Sequence, residues 1–389
     1  MQYSTDPKTG NKLSILGFGC MRFPRDFAKT EELILSAIDK GVNYFDTAYV
    51  YGNSEVTLGN ILHKNNVRDR IYLATKLPHQ KCRSYEDFER IFLEQLERLK
   101  TDHIDYYLIH NLSEPKAWRT VCELGIEKWI AEKKSTGQIR QIGFSFHGSR
   151  DSFMEQLDIY DWDFCQIQYN YLDENYQAGH AGLLRAHEKG LPVIVMEPLR
   201  GGKLANGLPK DALKHFTGFT QDRSAASWGF RWLWNQPEVT VVLSCMNSAE
   251  QLDDNLKTAA DATPGMLGQS ESAVYAPVVA ALRKAYKIPC TGCNYCMPCP
   301  QGVSIPDSFG AYNTSYSLGF IAGLTMYLTS AGVFNHNSSR GVKNCVKCGA
   351  CEKKCPQKIE IPKELSTVAK RLEPGWMRPI LWIVRKVMS

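Results

Sequence analysis

The sequence predicts an α/β protein in which a closed (β/α)8 barrel is followed by a small, mainly helical, cysteine-rich domain. Two observations lead to this prediction. Eight short apolar runs rich in Val, Ile, Tyr and Phe alternate with longer amphipathic stretches through the first part of the 389 residues, a pattern typical of strands alternating with helices. Eight of the 13 cysteines then cluster between residues 290 and 355. A barrel of about 250 residues leaves room for one smaller domain.

Each apolar run has the length of a strand. Residues 84–100, one of the stretches between runs, repeat Phe88, Phe92, Leu93, Leu96 and Leu99 at three- and four-residue steps, which predicts a helix. Eight strands that each precede a helix form a closed parallel barrel of the TIM type. The runs are SILGFG (14–19), NYFDTA (43–48), IYLATK (71–76), YYLIH (106–110), IRQIGFS (139–145), FCQIQYN (164–170), PVIVME (192–197) and TVVLSC (240–245).

Polar residues stand where several of these strands end. Asp46 closes the second run, Tyr51 lies five residues further on, Lys76 ends the third run and His110 the fourth. Taken alone, a lysine at a strand end is usually a solvated rim residue. The C-terminal ends of parallel barrel strands meet at one mouth, however, so the four side chains can converge on a single point.

With these residues, the first part of the chain resembles the aldo/keto reductase superfamily. The similar motifs are GFGCMR, NYFDTAYVYGNSE, LATKLP, DYYLIH, IGFSFHG and QIQYNY, over about residues 10 to 260. The resemblance implies that Asp46, Tyr51, Lys76 and His110 are the catalytic tetrad. In this interpretation Asp46 holds Lys76, whose charge lowers the pKa of Tyr51 from its reference value of about 10. Tyr51 then donates a proton to a substrate carbonyl that His110 orients.

The resemblance also implies a nicotinamide cofactor, NADPH or NADH. Cys245 and Gln251 replace the basic side chains that commonly hold the 2′-phosphate of NADPH, so the choice between the two stays open. Backbone amides around residues 246–249 can bind a phosphate, and residues 206–221 are expected to form a large loop over the dinucleotide. The implied contacts are Ser145 and Gln168 with the nicotinamide carboxamide, Met196 with the ring and Asn255 with the adenine.

The clustered cysteines form two runs, C-x-x-C-x-x-C-x-x-C-P and C-x-x-C-x-x-C-x-x-x-C-P. Two-residue gaps let three thiolates of one turn face a cubane, and a more distant cysteine completes the site, so the runs predict two 4Fe-4S clusters. A zinc site of two C-x-x-C pairs is the alternative, but zinc gives no reason for a third cysteine at the same interval. The predicted ligands are Cys290, Cys293, Cys296, Cys299, Cys345, Cys348, Cys351 and Cys355.

Residues 285–365 also resemble bacterial two-cluster ferredoxins, in which the fourth cysteine of each run ligates the other cluster. The first run departs from that pattern, with two residues rather than three before its fourth cysteine, and the 45-residue spacer is longer than in a minimal ferredoxin. The resemblance implies one ligand set of Cys290, Cys293, Cys296 and Cys355 and another of Cys345, Cys348, Cys351 and Cys299.

The remaining features concern location and burial. The N-terminus lacks a basic segment followed by an apolar run and a cleavage site, so a cytoplasmic location is expected. Residues 318–334 are mostly apolar but shorter than the ~20 residues of a transmembrane segment, and they are expected to form a buried helix beside the cysteines. Five scattered cysteines are expected to be small buried apolar residues: Cys20, Cys82, Cys122, Cys165 and Cys245.

Positive charge is concentrated at the C-terminus. From residue 340 onward twelve Lys or Arg and four Glu give +8, whereas the whole chain carries +5. Basic and aromatic residues do not interleave there in a recognisable binding motif, so no nucleic-acid partner is expected. The basic C-terminal tail can offset the charge of thiolate-bound clusters or attract an acidic electron-transfer protein such as a ferredoxin or flavodoxin.

The sequence thus predicts a reductase barrel in residues 1–265, and a connecting helix, ferredoxin-like domain and basic tail in residues 266–389. The preferred function is reduction of a small carbonyl, or oxidation of an alcohol, with NAD(P)H, while the clusters relay electrons or stabilise structure. A second hypothesis makes the clusters the point at which electrons enter from ferredoxin or flavodoxin. A third is a non-catalytic redox sensor or electron carrier.

Overall fold

Eight parallel strands form a closed barrel, which confirms the predicted fold class. The computed structural model describes residues 1–330 and 341–375. The strands follow one another around the barrel in chain order, and the last pairs with the first, with Val242 opposite Leu16. A two-stranded hairpin is formed by β1 (Tyr3–Thr5) and β2 (Lys12–Ser14), and the barrel by β3 (Leu16–Gly19), β4 (Tyr44–Asp46), β5 (Tyr72–Leu77), β6 (Ile104–Ile109), β7 (Ile139–Phe146), β8 (Phe164–Gln168), β9 (Val193–Met196) and β10 (Val241–Ser244).

Helices follow the barrel strands and continue into the cysteine-rich part of the chain. Within the described residues they are α1 (Phe27–Asp39), α2 (Ser54–Lys64), α3 (Tyr85–Leu99), α4 (Pro115–Glu123), α5 (Ile126–Ser135), α6 (Arg150–Asp158), α7 (Gly179–Glu188), α8 (Lys210–Phe219), α9 (Ala225–Trp234), α10 (Ala249–Ala260), α11 (Gln269–Ala273), α12 (Tyr275–Ala285), α13 (Ile305–Ser317), α14 (Phe320–Ser330) and α15 (Ile361–Leu372).

Large side chains fill the inside of the barrel. Alternate strand residues point inward, and Tyr44, Tyr106 and Phe164 pack there with aliphatic residues of β9 and β10. The hairpin contributes Leu13 to this core, and the Tyr106 hydroxyl donates to Asp6 at 2.7 Å. The hairpin, whose strands have three residues each, was not among the strands predicted from the sequence.

Helix α3 has the predicted amphipathic pattern with one change. Phe88, Phe92, Leu96 and Leu99 are buried, but Leu93 is 49% exposed. Ile91 and Gln95 are buried as well, and the side-chain oxygen of Gln95 accepts a hydrogen bond from the Tyr107 hydroxyl at 2.6 Å. Hydrogen bonding therefore allows a polar residue to occupy this face of the helix.

The chain divides into two compact units. The first comprises Met1–Pro198 and Ala226–Gly268, and the second comprises Leu199–Ala225 and the described residues from Gln269 onward. Residues 206–221 thus belong to the second unit, where α8 packs on α12 and the rings of Phe216 and Tyr275 meet edge to face. They contain helix α8, whereas a large loop over the dinucleotide was expected.

The cysteine-rich unit has its own apolar core. Helices α13 and α15 pack together in it, and the segment after β9 is tied to the first cysteine run, because Arg200 and Lys203 donate hydrogen bonds to the carbonyls of Pro289 and Cys290. The core residues include Ile288, Val303, Ile305, Phe309, Ile361, Leu365, Val368 and Leu372.

Helix α14 lies within the predicted helical stretch 318–334, but the prediction that it is buried was wrong. Gly323 and Tyr327 face α13 and the core, whereas Ile321 is 78% exposed and Met326 41% exposed. Uniform apolarity in the sequence did not show which face packs. In the part of the chain that the structure describes, no helix has the length and apolarity needed to cross a membrane. Residues 331–340 and 376–389, including the end of the basic tail, lie outside the described residues.

Candidate active site and candidate cluster site

Four side chains from neighbouring strand ends meet at the C-terminal mouth of the barrel. Asp46 is the last residue of β4, Lys76 lies near the end of β5, and His110 directly follows β6. The Lys76 Nζ is 5.1 Å from the ring centre of Tyr51, and the Tyr51 and His110 rings meet edge to face at 5.8 Å. The structure therefore brings together the four residues that the sequence singled out.

Lys76 is fully buried and held by two acceptors. Its Nζ donates to Asp46 Oδ1 at 2.6 Å and to the carbonyl of Thr47 at 2.7 Å. The second carboxylate oxygen of Asp46 accepts from Gln166 Nε2 at 2.9 Å. Sequence analysis missed Gln166, although it lies two residues before Gln168 on β8 and two-residue periodicity puts both on one face.

The loop that carries Tyr51 is anchored by the start of α2. Ser54 Oγ donates to the carbonyl of Cys20 at 2.7 Å. Glu55 is 1% exposed, and its carboxylate accepts from Thr75, Gln95 and Arg98 at 2.6, 2.7 and 3.2 Å. These contacts fix the loop on β5 and α3, so they restrict where the Tyr51 ring can lie.

Burial favours the neutral ring of three histidines near the mouth. Burial, followed by the charge of Lys76, lowers the pKa of His110 well below its usual value of 6.5. Burial lowers the pKa of His79 and of His147 to about 4. A neutral imidazole has one donor and one acceptor nitrogen, so His110 can give a hydrogen bond to a carbonyl oxygen at neutral pH.

The residues implied to contact a nucleotide are buried or half-buried at the ends of later strands. Ser145 Oγ accepts from the amide of Asn111 at 2.8 Å. Gln168 donates to Asp173 at 2.9 Å and accepts from Gln177 at 3.2 Å. These two hydrogen bonds fix the amide plane of Gln168, and sequence analysis did not predict either partner.

Met196 and Asn255 belong to the last two strands and helices of the barrel in chain order. Met196, the last residue of β9, packs against the inner core and is half-buried. Asn255 on α10 is buried, and its side chain donates to Ser244 Oγ at 3.0 Å. That contact holds α10 to the end of β10. Gln251, near the start of α10, accepts from the amide of Asn247 at 3.0 Å.

The scattered cysteines are only partly as expected. Cys20, Cys82 and Cys165 are buried, but Cys122 is half-buried and Cys245 is exposed. Cys245 directly follows β10, and a Cβ on Gly19 would lie only 2.8 Å from its sulfur, so glycine there leaves space for the thiol. The burial prediction was wrong for Cys122 and Cys245, because sequence does not show that these positions lie outside the core.

The two cysteine runs form similar halves. Gly292 and Lys347, each two residues after the first cysteine of a run, are both left-handed, with φ of 73° and 56°. Asn294 and Gly349, two residues further along each run, also have a left-handed backbone conformation, with φ of 65° and 72°. The runs continue as CPQGVSIP and CPQKIEIP into α13 and α15, each with proline at its start. This internal repeat was visible in the sequence and was missed.

Thiols from both runs line one cavity. Cys290, Cys293, Cys296 and Cys355 line this cavity together with apolar residues of α13 and of the start of α15. Burial, followed by the three neighbouring thiols, raises the pKa of Cys296 to about 12. Iron binding requires thiolates, and metal coordination favours this deprotonated form. Four sulfurs around an apolar space fit a multi-iron cluster.

Of the remaining cysteines, Cys299, Cys345 and Cys351 lie close together. These three and Cys348 are called the second group, and the four that line the cavity are called the first group. Burial, and to a lesser extent the nearby thiols of Cys345 and Cys299, raises the pKa of Cys351, so a cysteine of the first run lies beside two of the second. Cys348 is exposed. Within residues 1–330 and 341–375, no three His, Cys, Asp or Glu side chains converge closely enough to hold one metal ion.

Two known families match different parts of the chain. Residues 15–263 match the aldo/keto reductase family, and residues 289–360 match the 4Fe-4S dicluster domain. The two matches include, respectively, the barrel mouth and both cysteine runs.

Individual relatives are similar to the barrel part. An aldo-keto reductase of Mycolicibacterium vanbaalenii is 27% identical over 252 residues, which cover 63% of this chain and 82% of that protein. The NADH-specific methylglyoxal reductase of Escherichia coli is 30% identical over 199 residues, which cover 46% of this chain and 59% of that protein. The holo form of an aldo-keto reductase from Bacillus halodurans superposes with a TM-score of 0.60 at 25% identity, over 72% of this chain and 96% of that one.

The fold, the geometry at the barrel mouth and the family match over residues 15–263 agree. The chain therefore belongs to the aldo/keto reductase family of NAD(P)H-dependent oxidoreductases, and it carries a 4Fe-4S dicluster domain after the barrel.

Proposed function

We propose that the barrel reduces a small aldehyde or ketone with NADPH or NADH, and that Tyr51 is the proton donor. The observation that carries this proposal is the arrangement of a fully buried Lys76 beside the Tyr51 ring, with neutral His110 edge to face with the same ring. A nearby ammonium favours the phenolate and so makes the hydroxyl a better acid.

Each of the four tetrad residues has its own role in the proton transfer. A nicotinamide cofactor, when bound, would supply the hydride for the carbonyl carbon. Tyr51 gives its hydroxyl proton to the carbonyl oxygen, so that the product is an alcohol, and His110 donates a hydrogen bond that orients this oxygen. Asp46 keeps Lys76 in place, and Gln166 in turn fixes Asp46. Ser145, Gln168, Met196 and Asn255 are the proposed nucleotide contacts.

The choice of substrate and of nucleotide is tested together. Similarity to an NADH-specific methylglyoxal reductase makes methylglyoxal a suitable first substrate. Cys245 and Gln251 offer no positive charge to a 2′-phosphate, which favours NADH. Initial rates with methylglyoxal and with simple aldehydes, each with NADH and NADPH, would reveal the preference. A large preference for NADPH would contradict the charge argument.

A conservative variant tests the proton donor. Tyr51→Phe removes only the hydroxyl and is expected to lower kcat/KM by about 10²- to 10⁴-fold, while nucleotide binding, followed by fluorescence quenching, stays nearly unchanged. Tyr49→Phe is the matched control. It removes the hydroxyl of another tyrosine in the same loop, and that hydroxyl donates a hydrogen bond to Glu94. This variant is expected to retain activity. Full turnover in Tyr51→Phe would refute the assignment.

We further propose that the second unit holds two 4Fe-4S clusters with crossed ligands, Cys290, Cys293, Cys296 and Cys355 in one set and Cys299, Cys345, Cys348 and Cys351 in the other. The cavity lined by cysteines of both runs supports the first set. Iron and sulfide analysis after anaerobic purification, with electron paramagnetic resonance of the reduced protein, gives cluster type and number. One cluster per chain would contradict the proposal.

A second candidate function makes the clusters the entry point for electrons. The dicluster match supports it, since each cluster transfers single electrons and two supply a two-electron reduction. Titration of the protein with NADH, NADPH and a reduced one-electron donor separates the possibilities. A cluster signal produced only by the one-electron donor would favour electron entry through the clusters, whereas reduction by a nucleotide would favour relay from the barrel.

A further inference from the structure

The two halves of the cysteine-rich unit share their backbone form but differ in charge. Residues 290–304 contain no charged side chain. The equivalent residues 345–360 of the second half contain four lysines and two glutamates, and Lys343 precedes them with its Nζ 2.9 Å from a carboxylate oxygen of Glu373. All five lysines are exposed: Lys343, Lys347, Lys353, Lys354 and Lys358. We call these five residues the lysine surface.

Two of these lysines occupy positions where the backbone disfavours them. Lys347 and Lys358 are left-handed, with φ of 56° and 50°, and the equivalent residues of the first half are Gly292 and Gly302, with φ of 73° and 69°. A Cβ makes this conformation unfavourable, and glycine is the residue that adopts it without strain. The second half thus has lysine at two positions where glycine would be less strained. The retention of positive charge at these positions points to a role other than stabilising the fold.

Cys348, a cysteine of the second group, lies in the same segment of the chain as the lysine surface and directly follows Lys347. Cys348 is exposed, and the neighbouring Val346 is 62% exposed. The cysteines of the first group are all at least half-buried. Electron transfer between proteins slows steeply with distance, so the exposed cysteine marks the shortest route from solvent to a cluster. A small apolar centre with a charged rim is the usual composition of a transient protein interface.

We propose that the lysine surface docks an acidic one-electron carrier protein of the ferredoxin or flavodoxin class, which exchanges electrons with the cluster bound by Cys348. The proposal rests on the proposed cluster binding. In each encounter the reduced carrier loses one electron and the oxidised cluster gains it, and no bond or proton is transferred. Opposite charges on the two surfaces would accelerate association.

The test uses the full-length protein with its iron and sulfide content measured first, so that failure to bind clusters is recognised separately from failure to dock. An acidic two-cluster ferredoxin, reduced and freed of reductant, is mixed with the oxidised protein in a stopped-flow instrument. Lys347→Gly with Lys358→Gly is expected to lower the second-order rate constant about 10-fold or more at low salt, and higher salt should reduce the difference. The substitutions restore the glycines of the first half, so thermal stability should be kept or raised.

Two further variants make the result specific. Lys284→Gln with Lys370→Gln removes the same charge from exposed positions on α12 and α15, and it is expected to keep the wild-type rate. Lys353→Gln with Lys354→Gln removes two other members of the lysine surface, and it should slow the reaction even if the glycine variant fails to assemble. Equal rates in all variants, a rate independent of salt, or preferential binding of a DNA duplex at these lysines would overturn the proposal.

Discussion

Lys76 Nζ lies 2.6 Å from Asp46 Oδ1 inside the barrel, where the lysine side chain is fully buried and the aspartate 5% exposed. Such a pair is costly to break, because removal of one partner leaves a buried charge without compensation, whereas removal of both costs much less. The pair is therefore expected to contribute to stability and to catalysis in ways that can be separated.

The first prediction separates these contributions. Lys76→Met is expected to lower both activity and the free energy of unfolding, the latter by about 3–5 kcal/mol. Adding Asp46→Asn should recover much of the stability but none of the activity, because the charge beside Tyr51 stays absent. Urea unfolding followed by tryptophan fluorescence, with carbonyl turnover on the same samples, measures both. Recovery of turnover in the double variant would contradict the proposed role of Lys76.

The second prediction concerns acid. The pKa of His79 is lowered by burial to about 4 from 6.5. Between these values the unfolded chain binds a proton that the folded chain does not, so stability falls as the pH falls, by about 1.4 kcal/mol per pH unit for this group. His79→Leu should make the decline between pH 6.5 and pH 4 less steep by that amount. Above pH 7 the two proteins should have parallel profiles, and parallel profiles in acid would show the burial argument to be wrong.

The third prediction concerns the anchor of the Tyr51 loop. Glu55→Ala removes the acceptor shared by Thr75, Gln95 and Arg98, and it is expected to destabilise the barrel by about 2–4 kcal/mol. Activity should fall mainly through kcat, because Tyr51 would be less well positioned. Glu55→Gln retains an acceptor oxygen and should restore most of both quantities. An equal loss in the two variants would show that charge, rather than hydrogen bonding, matters at this position.

The fourth prediction tests the crossed ligation. Cys345→Ser with Cys348→Ser should eliminate one cluster and leave the other, which electron paramagnetic resonance and iron content would show. In that background, Cys355→Ser should remove the remaining cluster, whereas Cys299→Ser should spare it, because Cys355 and not Cys299 lines the cavity with Cys290, Cys293 and Cys296. The opposite result would mean that each run ligates its own cluster.

Much of the fold followed from the sequence. Short β-rich runs that alternate with amphipathic stretches predicted the eight barrel strands, because side-chain periodicity depends on local backbone geometry alone. The positions of Asp46, Lys76 and His110 at strand ends followed from the same pattern, since parallel barrel strands all end at one mouth. The spacing of the two cysteine runs also indicated the 4Fe-4S domain that the family comparison found.

Tertiary structure decided which residues touch across that framework. Gln166 meets Asp46 from a distant strand, Gln95 is buried where Leu93 is exposed, and Cys245 lies outside the core. Sequence periodicity specifies a face but not the partner opposite it, because contacts between elements depend on how strands and helices pack. For the same reason the spacing of the eight cysteines did not by itself pair them, whereas the fold brought Cys355 of the second run beside Cys290 of the first.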